Sequence, residues 1–198
     1  MRFRKGDTLV EVLLSIAVFA TVMMIGLTTM NNGMSRALAS LQLTMARNAM
    51  DTQAEALRFS NAAFMAEYGN SNNNINSQVA QLWQNSLTTG TQGSATRLED
   101  CSRGTSAFVI SRNDMAYHND RIKDALTYPR VVYGNDVDSN ALTNVQANYH
   151  GSEGIWVEKV HATGTRYYDF HIRACWLSPG SNINTTLGTI VRLYDPRG

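Results

Sequence analysis

The sequence predicts an α+β protein, in which a long N-terminal α-helix packs on an antiparallel β-sheet in the C-terminal part. Three observations support this class. Residues 9–30 are mostly apolar, no proline occurs between Leu9 and Arg58, and the last third of the chain alternates apolar with polar residues. Such alternation is typical of a strand that is buried on one face only. The helix therefore precedes the sheet.

The apolar segment is long enough to cross a membrane. It runs from Leu9 to Met30, and a helix of about 22 residues covers roughly 33 Å. The basic residues Arg2, Arg4 and Lys5 precede it, which favours a cytoplasmic N-terminus. A secretory signal would instead have a shorter apolar core with a small-residue cleavage site behind it. We therefore expect a single-pass membrane protein with its head outside the cytoplasm.

A specific motif lies where the basic leader meets the apolar segment. It is the run Lys5-Gly6-Asp7-Thr8-Leu9-Val10-Glu11-Val12-Leu13-Leu14, which resembles the class III signal of type IV prepilins and pseudopilins. In that family a membrane peptidase cuts after the glycine and methylates the new amino terminus. The resemblance therefore implies cleavage between Gly6 and Asp7, and methylation of Asp7. The departure from the family pattern is Asp7 itself, because most members have phenylalanine there.

The resemblance implies a type IV pilin-like fold and a structural role. Residues 1–6 would be the leader, 7–58 the long helix with its membrane-spanning part at about 9–30, and 59–198 the exported head. The implied partners are a prepilin peptidase, other pilin subunits in a helical polymer, and an assembly platform with its cytoplasmic ATPase. By analogy, a minor pilin or pseudopilin is favoured over a major subunit. The alternative is a membrane-anchored binding protein that does not polymerise.

The resemblance also assigns a role to Glu11. It is the fifth residue of the expected mature chain, where the family keeps a glutamate. A charged residue in the centre of a membrane helix costs on the order of 2.5–3.5 kcal/mol on insertion scales, and less near a helix end. A neighbouring subunit's terminal amine could neutralise Glu11 during filament assembly. The other interpretation is that Glu11 reaches the membrane interface, as long polar side chains near helix ends do.

The chain contains two cysteines, Cys101 and Cys175. An exported head meets an oxidising compartment, so a disulfide between them is expected, with two unpaired thiols as the alternative. The bridge would close a loop of about 75 residues. Because Cys175 falls on the polar side of its strand, we expect the bridge to tie a covering loop to the sheet.

The helix continues beyond the membrane segment with an apolar stripe at helical spacing, formed by Met34, Leu38, Leu41, Met45, Ala49 and Ala56. We expect this stripe to pack on the sheet of the head; a coiled coil is the competing interpretation. Between Gly26 and Gly33 the composition favours helix less. This segment is either stretchable on assembly or simply a weaker part of the helix.

The head is predicted to contain a meander of three strands, at Ile155–His161, Tyr168–Trp176 and Gly188–Tyr194. The residues that face inward on the second strand are Tyr168, Phe170, Ile172, Ala174 and Trp176. Weaker strand signals lie at 108–110 and 130–133. Polar loops at 68–77 and 86–96 flank a short helix at 79–83. The tryptophans Trp83, Trp156 and Trp176 are expected in the core or at an interface.

No catalytic motif is recognisable in the sequence. The net charge of +1 gives no general attraction to nucleic acid or to anionic surfaces, although local contacts with nucleic acid stay open. The four histidines lack zinc-ligand spacing, and residues 136–140 (Asp-Val-Asp-Ser-Asn) suit an Asx-rich turn better than a calcium loop. No nucleophile elbow, phosphate loop or dinucleotide fingerprint occurs. We therefore expect no enzyme, no cofactor and no metal; an exported enzyme would need a pocket of convergent titratable groups.

Overall fold

The computed structural model describes residues 7–69, 75–88, 101–111, 116–125, 127–132, 151–161, 164–178 and 183–197. The chain forms two compact units, Met1–Leu41 and Gln42–Gly198. Helix α1, Asp7–Tyr68, supplies all the described residues of the first unit and the first 27 residues of the second. Eight strands follow among the described residues of the C-terminal part. The α+β class predicted from the sequence is present.

Helix α1 is longer than the sequence analysis expected. It continues from Arg58 to Tyr68 through a run rich in alanine, the amino acid with the highest helix propensity. Phe64 in this extension is fully buried, and its ring lies 5.3 Å from that of Tyr68. A second helix, α2 (Gln78–Thr88), starts one residue before the predicted position and ends five residues after it.

The main sheet contains β6 (Ile155–His161), β7 (Tyr167–Leu177) and β8 (Asn184–Tyr194), in that order. Both pairings are antiparallel, so the predicted meander is confirmed. Strand β7 is the central strand and β8 is as long, 11 residues each. Strand β8 begins four residues earlier than the sequence indicated.

Two smaller sheets also occur in the described part of the head. Strands β1 (Val109–Ile110) and β2 (Tyr117–His118) pair antiparallel. The third sheet contains three short strands: β3 (Ile122–Lys123), β4 (Arg130–Val132) and β5 (Gly151–Glu153). Strand β5 lies in the middle, so the order is β3-β5-β4. Its β3–β5 pairing is parallel. The sequence indicated β1 and β4, through the weaker signals at 108–110 and 130–133. It did not indicate β2, β3 and β5, because strands of two or three residues are too short to show alternation.

The core of the head lies between the C-terminal part of α1, helix α2 and the inner face of the main sheet. The inner residues of β7 are those predicted: Phe170, Ile172, Ala174 and Trp176 are buried, and Tyr168 packs against them. Helix α2 contributes Trp83, which lies 5.6 Å from Phe170, ring to ring. All three tryptophans are at most 3% exposed.

The face that α1 buries is not the predicted stripe. Met45 in the second unit is 41% exposed, and Met34, Leu38 and Leu41 in the first are 45–57% exposed, whereas Ala49 and Ala56 pack against the core. The buried face is instead formed by Ala46, Met50, Gln53, Ala54, Leu57, Ser60 and Phe64. Both stripes have spacings of three and four residues. The buried one contains a glutamine and a serine, so hydropathy alone favoured the wrong face.

Candidate functional site

The apolar segment of α1 is a candidate membrane anchor. Its large apolar side chains between Leu9 and Met30 are 52–70% exposed. The helix has an 18-residue window with a mean hydropathy of 2.3, and none of that window is buried within the protein. Among the described residues this is the one helix long and apolar enough to cross a membrane. The assignment as a candidate membrane anchor is based on the length and composition of the helix.

The hydroxyl groups of this segment are satisfied by the helix itself. Each of them donates a hydrogen bond of 2.7–2.9 Å to a backbone carbonyl three or four residues earlier: Ser15 to Glu11, Thr21 to Val18, Thr28 to Met24 and Thr29 to Ile25. Because hydrocarbon offers no partner to a polar group, such internal bonds let serine and threonine enter a membrane at low energetic cost. The hydroxyl residues of the segment are therefore compatible with an anchor.

The residues of the predicted signal lie at the start of the described chain. Gly6 and the rest of the leader lie outside the described residues, and Asp7 is the first residue of α1 in that range. Glu11 lies one turn later, with its side chain exposed. Cleavage between Gly6 and Asp7, methylation of Asp7 and pairing of Glu11 therefore stay predictions. Helix α1 runs without a break through Gly26 and Gly33, at which an added Cβ atom would meet nothing within 4 Å.

A disulfide joins Cys101 to Cys175, as the sequence predicts, with 5.8 Å between the Cα atoms. Cys175 lies on the outer face of β7, the face opposite the core. Residues 101–107 pass over that face: Ala107 packs with Trp156 and Cys175, and the backbone N–H of Gly104 donates a 3.0 Å hydrogen bond to Glu158. The bridge therefore ties a covering segment to the sheet.

Beneath this segment lies a buried ion pair that the sequence did not indicate. Arg173 lies 3.4 Å from Glu158, and their side chains are only 8% and 3% exposed. The Trp156 indole N–H donates a second bond to the Glu158 carboxylate, at 3.1 Å. A buried pair of charges is tolerated only when such additional hydrogen bonds satisfy it. Sequence alternation puts Arg173 on the polar face of β7. The sequence predicted a covering loop at Cys175, but it did not show that this loop also buries Arg173 and Glu158.

The outer face of β7 and β8 carries an exposed polar cluster at the end away from the disulfide. Arg192 on β8 makes two hydrogen bonds to Asp169 on β7, at 2.7 and 2.8 Å, and its guanidinium lies 4.1 Å from the centre of the Tyr167 ring. The hydrogen bond from Arg192 lowers the pKa of Asp169. Burial and the positive charge of Arg173 lower the pKa of His171, the next outer residue of β7. His171 therefore favours its neutral form in the folded head.

The described part of the second unit contains cavities large enough for a ligand. One, of about 700 Å³, is an open depression lined by Asn48, Asp51, Thr52, Gln53, Glu55, Ala56, Phe59 and Ile110. Another, of about 340 Å³, adjoins the disulfide, and a third, of about 350 Å³, lies between α1 and residues 128–131. The lining of the 700 Å³ depression offers carboxylates, amides and a hydroxyl, and contains no histidine or cysteine. Within the described ranges, no three His, Cys, Asp or Glu side chains are grouped as metal ligands; residues 136–140 lie outside them.

The fold and the anchor together define a class: an α+β protein with one candidate membrane-spanning helix and a disulfide-bonded head that contains a β-sheet. Comparison of the chain with protein-family models, with curated proteins and with solved structures gives no match. The function is therefore argued from the residues of this chain.

Proposed function

We propose that this chain is a structural subunit of a type IV pilus-like filament, in the manner of a minor pilin or pseudopilin. A prepilin peptidase removes residues 1–6, and the subunit waits in the cytoplasmic membrane with its head on the outer side. An assembly platform driven by a cytoplasmic ATPase then inserts it into an extracellular helical polymer. The same design serves pili, secretion filaments and DNA-uptake filaments.

The observation that carries the proposal is the dual use of helix α1. Its part from Leu9 to Met30 exposes apolar side chains on all sides, while its part from Ala46 to Phe64 supplies a buried face to the head. A single 62-residue helix thus serves as a candidate anchor and as a structural part of the head. The class III-like signal before it explains why the apolar part stays on the mature protein.

Glu11 is the residue on which assembly depends in this proposal. After cleavage the new α-amine of Asp7 has a reference pKa of about 8 and is largely positive at neutral pH. In a bundle of apolar helices, where the dielectric constant is low, an opposite charge on a neighbouring subunit is strongly attracted. The Glu11 carboxylate pairs with that amine and thereby sets the axial position of each new subunit. The Asp7 carboxylate competes for the same amine.

The first test is the N-terminus of the protein in its own host. The membrane fraction is isolated and the terminal peptide is sequenced by mass spectrometry. The proposal predicts a chain that begins at Asp7, with or without a methyl group. A chain that keeps residues 1–6 in cells with an active prepilin peptidase would contradict it, and would favour an anchored protein that does not polymerise.

The second test separates processing from assembly. Glu11→Ala should be cleaved normally but be missing from filaments sheared off the cells, whereas Glu55→Ala should be both cleaved and incorporated. Glu55 is a matched control because it is an exposed carboxylate on the same helix, within the head. Glu11→Asp keeps the charge and should retain part of the incorporation. Normal incorporation of Glu11→Ala would exclude the pairing with the terminal amine.

A further inference from the structure

Strand β8 is a long edge of the main sheet. It has 11 residues and pairs with β7 on one side, and no other strand in the described part of the chain pairs with it. Its sequence contains no proline and one charged residue, Arg192, which is bound to Asp169 on the neighbouring strand. Edge strands are usually protected from pairing with another chain by charges, prolines, bulges or a covering segment. Most of these devices are missing from β8; at its C-terminal end the Asn61 side chain of α1 donates a 2.8 Å hydrogen bond to the Tyr194 carbonyl.

The exposed residues of β8 are suited to an interface. Ile190 is 60% exposed and Tyr194 is 46% exposed, both on the outer face. Gly188 and Thr189, at the middle of the strand, are exposed as well. An edge strand with one paired charge and with exposed β-branched and aromatic side chains provides both backbone hydrogen-bonding groups and apolar area. The partner that matches this edge is another strand of similar composition.

The sequence of β8 is complementary to itself when read in the opposite direction. With Thr189 placed opposite its own copy, the residue pairs are Thr185 with Leu193, Thr186 with Arg192, Leu187 with Val191, and Gly188 with Ile190. Arg192 therefore faces a threonine and not the second arginine, so like charges are not opposed. The large Ile190 faces a glycine, which leaves room for its side chain.

We propose that β8 of one copy pairs antiparallel with β8 of a second copy, about a two-fold axis at Thr189. The pairing joins two three-stranded sheets into a six-stranded sheet over residues 185–193, a strand length of about 30 Å at roughly 3.3 Å per residue. It stops short of Tyr194 because the carbonyl of that residue already accepts from Asn61. The occupant is a second copy because its edge supplies both the antiparallel direction and the matched residue pairs. This contact uses the head alone, so it holds or fails independently of cleavage after Gly6 and of filament assembly.

The test is a symmetric cross-link in the full chain, in host membranes and in dilute detergent micelles. In the proposed register, a cysteine at position 189 lies directly opposite itself. Opposed Cβ atoms across an antiparallel pair are about 4.5–5.5 Å apart, within reach of a disulfide after small adjustments. Thr189→Cys should therefore form covalent dimers on mild oxidation, and peptide mapping should find the 189–189 link with the Cys101–Cys175 bridge intact.

Matched controls use another residue pair on the same face of β8. Thr185→Cys alone and Leu193→Cys alone should yield at least about fivefold less dimer, whereas a mixture of the two should form heterodimers. A charge placed at the axis supplies a further control. When Thr189→Lys is added to both partners of that mixture, the heterodimer yield should fall because two ammonium groups then face each other. These outcomes depend on the register and not on general aggregation.

Three results would overturn the proposal. The first is Thr189→Cys that stays monomeric although its thiol reacts with a soluble reagent. The second is equal dimer yields for all single cysteine variants, which indicates random collision. The third is a 189 cross-link to a different protein with none to a second copy, which identifies β8 as the binding edge of another partner. Each result leaves the N-terminal mass measurement unaffected.

Discussion

Both amide atoms of the Gln53 side chain hydrogen-bond to the backbone of Ile110. The Nε2 atom donates to the Ile110 carbonyl at 2.9 Å, and Oε1 accepts from the Ile110 N–H at 2.8 Å. Gln53 lies on the buried face of α1 and is 1% exposed. Its amide thus gives the end of β1 the two hydrogen bonds that a neighbouring strand would otherwise provide. The helix is thereby connected to the smallest sheet of the head.

Replacing Gln53 with methionine should destabilise the head, although the side-chain volume is similar. The Ile110 N–H and carbonyl would both stay buried without a partner, at about 1–3 kcal/mol for each unsatisfied group. We expect a loss of about 2–4 kcal/mol in the free energy of unfolding. Denaturant titration of the full chain in detergent, followed by tryptophan fluorescence, measures it, because Trp83 and Trp156 are buried in the head.

Two further variants test the cause of that loss. Asp51→Ala removes an exposed polar side chain two residues earlier in α1 and should change stability by less than about 0.5 kcal/mol. Gln53→Glu replaces the donor with a carboxylate that repels the Ile110 carbonyl. It should therefore be less stable at neutral pH than in mild acid, where the protonated group can donate again. Equal stability of Gln53→Met and the wild type would refute the role of this contact.

Gly154 should be intolerant of a side chain. It joins β5 to β6 with φ +65°, and a Cβ atom there would overlap the Cys175 carbonyl oxygen and lie 2.6 Å from the Ala125 Cβ. Gly154 also donates to the Lys123 carbonyl at 2.7 Å and accepts from the Cys175 N–H at 2.8 Å, so the backbone cannot move away freely. Gly154→Ala should lower stability by about 2–4 kcal/mol, which denaturant titration can detect.

Gly164→Ala is the matched control for that prediction. Gly164 also has a positive φ, +81°, but an added Cβ atom would meet nothing within 4 Å. This variant should lose only the conformational preference of glycine, about 1 kcal/mol. If the two alanine variants are equally stable, the close approach at Gly154 does not limit the fold.

The sequence predicted the parts of the fold that have a long hydrophobic period. The meander was predictable because Phe170, Ile172 and Trp176 alternate with polar residues over 11 positions. The buried face of α1 was not, because Gln53 and Ser60 interrupt it while Met34 and Leu38 mark an equally regular exposed stripe. Which face of α1 is buried depends on contacts with residues far away in the sequence, and a periodic pattern within the helix gives no information about those contacts.

The features of the candidate site likewise differ in how far the sequence predicts them. The candidate anchor from Leu9 to Met30 and the cysteine pair are local or compositional signals, so the sequence contained both. The Glu158–Arg173 pair depends on a covering segment more than 50 residues away in sequence, which supplies the Gly104 N–H. The need for glycine at position 154 depends on the backbone of Cys175. Neither the ion pair nor the need for glycine at position 154 can be recognised from a short stretch of sequence.

The C-terminal segment should make the stability of the head depend on acid. Asp195 is 1% exposed and accepts hydrogen bonds from the Trp83 indole at 3.2 Å and from the Arg197 guanidinium at 2.7 Å. Burial raises the pKa of Asp195, but the bonds and charge of Arg197 outweigh it, so the net shift is below the ordinary 3.8. The lowered pKa stabilises the fold above about pH 4, and that contribution is lost as the pH falls through the folded value.

Asp195→Asn should remove this contribution. We expect a loss of about 1.5–3 kcal/mol at pH 7 and a weaker dependence of stability on pH below pH 4. Asp169→Asn is the matched control: its pair with Arg192 is more exposed and should contribute about 1 kcal/mol or less. Denaturant midpoints between pH 3 and pH 7 measure both. A wild-type profile below pH 4 that is no steeper than that of Asp195→Asn would contradict the argument.

The disulfide should protect the outer face of the sheet more than the core. Cys101 and Cys175 are 74 residues apart, and breaking a bridge of this span typically costs about 2–5 kcal/mol. The side chains that the bridge holds under cover are Trp156, Glu158 and Arg173, whereas Trp83 lies on the other side of the sheet, against Phe170.

The double variant Cys101→Ser, Cys175→Ser should therefore release residues 101–107 while the core stays folded. Trp156 should become accessible to a soluble quencher and Trp83 should stay protected. Because the chain has three tryptophans, each is observed alone when the other two are replaced by phenylalanine: Trp83→Phe with Trp176→Phe leaves Trp156, and Trp156→Phe with Trp176→Phe leaves Trp83. Loss of the cover also leaves the Glu158 carboxylate without its Gly104 donor, so water enters and the ion pair weakens. If both tryptophans became accessible together, the bridge would stabilise the whole head and not this segment alone.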